Sequence, residues 1–573
     1  MNKPSIKLNF LISPLSGIVL LLVLFTGCAA QGPPGGGAED KTGPILLSTF
    51  PENGTVNADR KTGVVLNFSE TIEPRSVESK LVITPYPGRP AIIKANRKRV
   101  TIDFLEPLQE NTTYIISFGR GIQDYQKNPS EINVTIAFST GDSLDSGTIS
   151  GTVYGIPKKH NAQVWAFRKT DSFPDSILDH TPDYKTSVEK DGRYRLTNLA
   201  RGNYRLLAVS SEAARIVLID ENCLLGMPAC QRETAGRPVV DPVLITHRNT
   251  VVSGVNFRLG KFYLKPFRLL KATMVDDKTE LLFSRPLDTE QNSKAYIQID
   301  NYAEIQSFWI SHLDPKTIIL KAREMVSNTK YTVRVDNIVD DLGDMLKLNN
   351  TATFTYSDGV DTLKPEIVST VPSKGAKNIH LNAKVRIVFS EALKQTISDS
   401  SILFISKDSI PTDYSFIWQC DNSIVLSPKT RLASAMEYRI TFDCSDWSDL
   451  AGNQFKDSLF TLLFSTVDAN SFGSISGKIL LSDSTVNQLI LSCIPEKEGA
   501  APVTISVSGA GIYTIDSLLP GAYRFEIWDD LIGNGKWDPG KLKPFVPAEP
   551  YRSYPDKINV RARWGTAEVD WTY

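Results

Sequence analysis

Long-range self-similarity constrains this chain more than any other feature of its sequence. The segment Pro44-Ile-Leu-Leu-Ser-Thr-Phe-Pro51-Glu-Asn-Gly54 returns as Pro365-Glu-Ile-Val-Ser-Thr-Val-Pro372-Ser-Lys-Gly375. The register then holds: Asn57 and Asn378 each lie 13 residues past the first proline, and Phe68-Ser69-Glu70 and Phe389-Ser390-Glu391 both end 26 residues past it. Leu108…Tyr114-Ile-Ile-Ser-Phe118 likewise matches Leu432…Tyr438-Arg-Ile-Thr-Phe442. Each unit closes on an alternating run, Ile136-Ala-Phe138-Ser-Thr140 and Leu462-Leu-Phe464-Ser-Thr466. A third copy lies between them, with Leu281-Leu-Phe283-Ser284-Arg285, Tyr331-Thr-Val-Arg-Val335, Asp340-Asp-Leu-Gly343 and Phe354-Thr-Tyr356, but without the proline-rich entry. Each copy is a series of short period-two runs, β-branched and aromatic, separated by Gly, Asn, Asp and Pro turns. That spacing predicts a β-sandwich of about 100 residues. The tyrosine opening the penultimate strand is expected to cap the core with its ring and tie a preceding loop with its hydroxyl.

A second repeat alternates with the first. Gly147-Thr-Ile-Ser-Gly151-Thr-Val153 recurs as Gly473-Ser-Ile-Ser-Gly477-Lys-Ile479. Both copies are followed by a pair of Gly-x-Tyr runs, at Tyr194 and Tyr204 and again at Tyr513 and Tyr523, with ten residues from tyrosine to tyrosine. Apolar alternation around a tight turn predicts a half-buried antiparallel pair. Helical periodicity is almost absent, so the fold class expected is all-β.

The first repeat resembles the bacterial Ig-like domain of S-layer proteins, whose marks are Pro…Pro…Gly…Asn, Phe-Ser-Glu and Asp-Leu-Ala-Gly-Asn. The last stands intact as Asp449-Leu-Ala-Gly-Asn453. The second repeat is similar to the transthyretin-like, carboxypeptidase-regulatory β-sandwich of many exported bacterial proteins. Together they imply tandem β-sandwich modules: Ig-like at 44–141, transthyretin-like at 147–260, Ig-like and degenerate at 262–358, Ig-like at 364–467, and transthyretin-like at 473–573.

The first residues set the expected compartment. Lys3 and Lys7 precede an uncharged apolar stretch from Ile18 to Phe25, which runs into Thr26-Gly27-Cys28. This run is shorter than the roughly 20 apolar residues that span a bilayer, and it has the layout of an export signal. The Leu24-Phe-Thr-Gly-Cys28 run is similar to a lipobox. That likeness implies a lipoprotein signal peptide at 1–27, lipidation of Cys28 and a Gly/Pro-rich tether at 28–43. Beyond Cys28 the cysteines are Cys223, Cys230, Cys420, Cys444 and Cys493. Cys223 with Cys230, and Cys420 with Cys444, are candidate disulfides for an oxidising compartment; the alternative is free, partly buried thiols.

Chemistry-bearing motifs are scarce. Lysine and arginine total 63 against 64 acidic residues, a net charge of -1, so the basic field that nucleic acid requires is missing. The five histidines are scattered, and there is no Gly-x-Ser-x-Gly, His-Glu-x-x-His, Walker loop or Cys-x-x-Cys. Glu70 and Glu391 repeat at one position, which argues for a structural role at a strand end. Asp529, Asp530, Asn534 and Asp538 form a Gly-rich polar loop that suits Ca²⁺; the alternative is an Asx-rich turn. Trp528, Trp537 and Trp564 are candidates for a sugar platform if exposed and for core if buried. No other cofactor is expected. The expectation is a non-enzymatic protein of the cell envelope, held to the outer membrane by its N-terminal lipid, with the modules forming a spacer or interaction rod. Its expected partners are envelope proteins or glycans. The alternative is a carbohydrate- or peptide-binding component of an outer-membrane uptake system.

Overall fold

A computed structural model describes residues 40–573, apart from residues 120, 133, 230, 290, 396 and 398 and the stretches 170–176, 214–215, 217–218, 233–237, 240–241, 301–302, 482–487 and 498–500. The expected signal segment, Cys28 and most of the expected tether therefore lie outside the described residues. The chain is nearly all β and divides into two compact units. The first runs to Leu144 without residues 84–86, and the second from Asp145 to Tyr573. No helix among the described residues is long and apolar enough to cross a membrane.

The first repeat builds the same four-stranded sheet three times. In the first unit its order is Leu46–Phe50, Val64–Phe68, Arg99–Asp103, Ile92–Asn96. In the degenerate copy the order is Leu269–Val275, Lys278–Phe283, Thr317–Arg323, Glu304–Ile310, and in the last copy Ile367–Val371, Val385–Phe389, Ser423–Pro428, Tyr414–Cys420. The second strand of each sheet carries the period-two pattern: Val64, Leu66 and Phe68 point inward, as do Val385, Ile387 and Phe389. A second layer, built around the hairpin Thr113–Gly119 and Val134–Ser139 and its counterparts, closes each core. The degenerate copy is thus a full sandwich. Its first strand, invisible without the proline entry, is Leu269–Val275.

The repeated polar residues have matching tasks. Ser69, Ser284 and Ser390 each accept a bond from a backbone N–H on the entering strand, at Ile45, Arg268 and Glu366. Tyr114, Tyr331 and Tyr438 each accept one from a backbone N–H five residues earlier, at 2.7–2.9 Å.

In the second repeat, Gly147–Tyr154 pairs with Arg193–Leu199, and Gly473–Leu480 with Gly511–Leu518. Gly151 lies opposite Tyr194 and Gly477 opposite Tyr513 in these registers. A Cβ on either glycine would fall 2.0 Å from a backbone carbonyl, Val255 O or Val569 O. The facing tyrosine donates its hydroxyl to that same carbonyl. The Ile-Ser-Gly motif therefore records a close backbone approach that no side chain permits.

Inside the second unit the modules do not simply follow one another as a rod. The 530–550 loop of the last module carries Trp537, Leu542, Phe545 and Ala548 onto Trp165, Phe167, Leu207 and Met227 of the 147–260 module. Ala548 N donates to Pro228 O, and Ala229 and Ala548 form a parallel bridge. Arg258 pairs with the buried Glu526 at 3.2 Å while its guanidinium lies over Trp537 and Tyr551. The physical reason is burial: Leu542, Phe545 and Ala548 find a core in the earlier module, while Trp537 packs both there and on Ile490, Trp528 and Tyr551 of its own module.

Candidate functional site: a repeated frame of three carboxylates

Two groups of acidic side chains converge among the described residues: Asp40, Glu70 and Asp124, and Asp361, Glu391 and Asp449. Within each group one ligand oxygen per residue lies within 4.8 Å of the others. Their sources are the same. The first aspartate sits four residues before the entry proline, the glutamate lies two residues past the strand Val64–Phe68 or Val385–Phe389, and the second aspartate opens the Asp-x-x-x-Asn loop.

One asparagine assembles the frame. In the first unit Asn128 gives its backbone N–H to Asp124 Oδ1 at 2.7 Å, and its side-chain amide to Asp124 Oδ2 and to Asp40 O, both at 2.9 Å. In the second unit Asn453 repeats all three bonds, to Asp449 Oδ1, Asp449 Oδ2 and Asp361 O, at 2.8–3.0 Å. The Asp-Leu-Ala-Gly-Asn motif is therefore a clamp that brings the entering chain against the loop.

Burial and neutralisation separate the copies. Asp361, Glu391 and Asp449 are all buried, and Lys278 reaches in from the 262–358 module, with Nζ 2.7 Å from both Asp361 Oδ2 and Glu391 Oε2. Burial raises the Asp361 carboxyl, but the bond and charge of Lys278, the Leu363 N–H and the charge of Lys321 outweigh it and hold it below the usual range. For Glu391 burial wins over Lys278, with the charges of Asp361 and Asp449 adding to it, and its carboxyl is pushed up. Burial lowers Lys278, yet its two carboxylate partners carry it above its usual value. Two further contacts fix the same junction: Phe308 N donates to Asp421 Oδ2 at 3.0 Å, and Gly359 lies where a Cβ would meet Asp276 O at 2.0 Å.

In the degenerate copy arginine stands in place of the glutamate. Arg285 Nη1 lies 2.7 Å from Asp340 Oδ2 and 3.0 Å from Asp344 Oδ2 and the guanidinium packs over Tyr263, so this module neutralises its own loop. In the first unit Asp40 is exposed and Glu70 half-buried. Burial raises the Glu70 carboxyl first, then the charges of Asp124 and Asp40, while Lys98 lowers it through charge. The Lys98 ammonium itself donates to Ser69 O at 2.7 Å.

The residues singled out from sequence are placed differently. Asp530 takes the N–H groups of Asn534 and Gly535, and Asp538 that of Gly540. Asp529 is buried, and no acidic group of this loop converges as the two frames do. The loop is organised by its own backbone and by Glu549, which accepts from Leu531 and Asp538, and the residues that follow it pack on the 147–260 module. Cys420 and Cys444 are separate thiols, not a disulfide. Cys420 Sγ contacts Ser423 Oγ, and Cys444 is buried in the module's core, its thiol pushed up to about 12 by burial and then by the charges of Asp443 and Asp457. Cys223 is buried beside Asp220, and its candidate partner Cys230 lies outside the described residues. Trp528 is buried, Trp537 half-buried in the docking loop, and Trp564 exposed.

Residues 40–140 and 361–466 match the model of the bacterial Ig-like domain family, so both segments that hold a frame are Ig-like. Each match begins at the first aspartate of its frame. Among solved structures, the N-terminal part of the bacterial S-layer protein SbsC is 14% identical over 35% of this chain and 44% of that one, with a TM-score of 0.14. An L,D-transpeptidase from Mycobacterium smegmatis is 10% identical over 26% and 77%, at a TM-score of 0.14. The major pilin subunit of Bacillus cereus is 10% identical over 74% and 99%, at 0.12. The chain thus spans under half the length of the SbsC fragment. No curated protein sequence matches the chain.

Proposed function

We propose that this protein is a non-enzymatic structural or adhesive component of a bacterial cell envelope, attached to the outer membrane by lipid on Cys28. The 147–260 and 473–573 modules are read as transthyretin-like. Support comes first from the Ig-like segments, and then from where the tryptophans lie. Trp165, Trp309, Trp447, Trp528 and Trp571 are buried in module cores or junctions, and Trp564 alone among the described tryptophans is strongly exposed, at 71%. A sugar-binding platform needs several exposed rings on one face, so this distribution favours scaffold over carbohydrate receptor.

Metabolic labelling with palmitate, followed by fractionation of Cys28→Ala and parent protein, tests the anchor. Loss of both label and membrane association in the variant is the expected result; an unchanged fractionation overturns it. Binding of envelope glycans at micromolar concentration by the purified protein would overturn the scaffold reading in favour of the uptake alternative.

A further inference from the structure

Burial in the two modules of the second repeat departs from that of a half-solvated sheet. An antiparallel sheet with one face in water alternates buried and more exposed positions, as Val64–Phe68 and Val385–Phe389 do. In Asn161–Arg168 the run Val164 to Phe167 is buried throughout, and so is Leu206 to Val209 in the facing strand Gly202–Ser211. The last module does the same: Leu489 to Leu491 and Phe525 to Asp529 are buried without interruption. One set of side chains fills the module's own sandwich, as Leu491, Phe525 and Ile527 do. The other set meets the opposite module. Trp165, Phe167 and Leu207 share an apolar cluster with Leu542, Phe545 and Ala548, and Tyr154 packs against Ile490, Trp528 and Tyr551. The fit extends to charge and ring geometry. The Arg205 guanidinium lies 4.3 Å from the Phe545 ring centroid, Arg258 reaches Glu526 at 3.2 Å, and the Tyr154 and Tyr551 rings meet edge-on at 5.3 Å.

We propose that this contact exchanges between molecules: the last module of one copy docks on the 147–260 module of a second copy, and the two chains swap equivalent modules. The occupant is defined by the contact itself, since the face at Trp165 and Leu207 holds the segment from Trp537 to Ala548 of this same sequence. Donor and acceptor are separate modules. Each has its own inner layer, around Phe525 and Ile527 in one and around Ile149, Val164 and Leu206 in the other, so opening gives up the contact and leaves both sandwiches built. The two are connected through the 262–358 and 364–467 modules, and Cys223, Cys420, Cys444 and Cys493 are free thiols, so no disulfide among the described residues locks the pair. Opening uncovers aromatic and aliphatic surface on both sides, and the complement of each surface is present on every other copy. A swapped pair makes the contact of the closed chain twice, so the two states differ in free energy at the connecting segments and in the entropy of association. Exchange therefore grows with the local concentration of chains. This goes beyond the scaffold reading, which stands whether or not copies exchange.

Ala229 and Ala548 face each other in a parallel bridge across the contact, so a cysteine at each position reports it. Full-length Ala229→Cys protein is mixed with full-length Ala548→Cys protein and held in urea below the module-unfolding transition, which speeds opening. The mixture is then oxidised with diamide and resolved on non-reducing gels with peptide mass mapping. The double variant, with both changes in one chain, shows that the geometry permits the bond, and at low concentration it is expected to link within the chain. The expected result is a heterodimer carrying a 229–548 disulfide in the mixture and in neither variant alone. Its yield should rise about tenfold for a tenfold higher concentration while the exchanged form is the minor one. No 229–548 heterodimer at concentrations up to about 1 mM, the scale of effective concentration within a tethered chain, overturns the proposal. So does a yield that does not change with concentration, or a dimer linked only through other cysteines. The fractionation of Cys28→Ala is unaffected by either result, so the anchor and the exchange fail separately.

Discussion

The frames at Asp40 and at Asp361 share every bond that the asparagine clamp supplies, and differ in burial and in what sits against them. At Asp361 a second module has closed over the carboxylates, and a lysine has come with it. At Asp40 the first aspartate stays exposed. The backbone arrangement is thus inherited with the repeat, while the charge balance is set by the neighbours each copy has acquired. One constellation serves as a junction in one place and as an open carboxylate cluster in another.

The comparison is broken most directly at Lys278. Lys278→Met leaves three buried carboxylates without their ammonium, and a loss of about 3–5 kcal/mol is expected for the second unit, read by urea unfolding followed through tryptophan fluorescence. The double variant Lys278→Met, Glu391→Gln should recover part of it. A loss below about 1 kcal/mol would mean that Lys278 is incidental to the junction. Removing the clamp comes next. Asn453→Ala should cost about 1–3 kcal/mol, because Asp449 and the Asp361 carbonyl lose a partner in a buried place. Asn128→Ala should cost less, since Asp40 is exposed; equal costs would remove burial as the distinguishing variable. Glu70→Gln is expected to stay within about 0.5 kcal/mol of the parent.

The smallest effect is in pH. The Glu391 carboxyl is raised, so its burial as an anion weakens the fold at neutral pH, and that penalty is relieved as pH falls toward and through its raised value. Asp361 is lowered, so its contribution is present above its ordinary value of 3.8 and is lost only as pH falls below that. As pH falls from neutral toward the ordinary glutamate value of 4.5 the parent should therefore gain slightly relative to Glu391→Gln, and below the ordinary aspartate value of 3.8 both should lose stability as Asp361 protonates. Denaturation midpoints across that range check the sign.

The sandwiches were legible because their signals are local. The phenylalanine of Phe-Ser-Glu, the tyrosine opening the last hairpin and Ile-Ser-Gly each sit in one strand, where period two and a fixed neighbour decide the outcome. Each Phe-Ser-Glu carboxylate and the Asp-Leu-Ala-Gly-Asn loop were equally visible, but their meeting was not. A strand end and a loop more than fifty residues later converge only when two layers pack. The aspartate four residues before each entry proline was the available clue, since it keeps the same spacing in both copies. Lys278 gave no sign at all, because its role depends on a junction between modules. The docking of the 529–540 loop was hidden for the same reason: its glycines and aspartates describe a turn, and say nothing of the module on which Trp537 rests.

The docking of the last module on the 147–260 module also sets a path for force. Load applied at Asp145 and at the strand Trp571–Thr572 would pass through Arg258, Glu526 and the Trp537 loop, and would bypass the two sandwiches between. Those two would bear tension only after this contact opened, and the slack they then released would lengthen the chain in a second stage. The contact is, in mechanical terms, a shunt across half of the second unit.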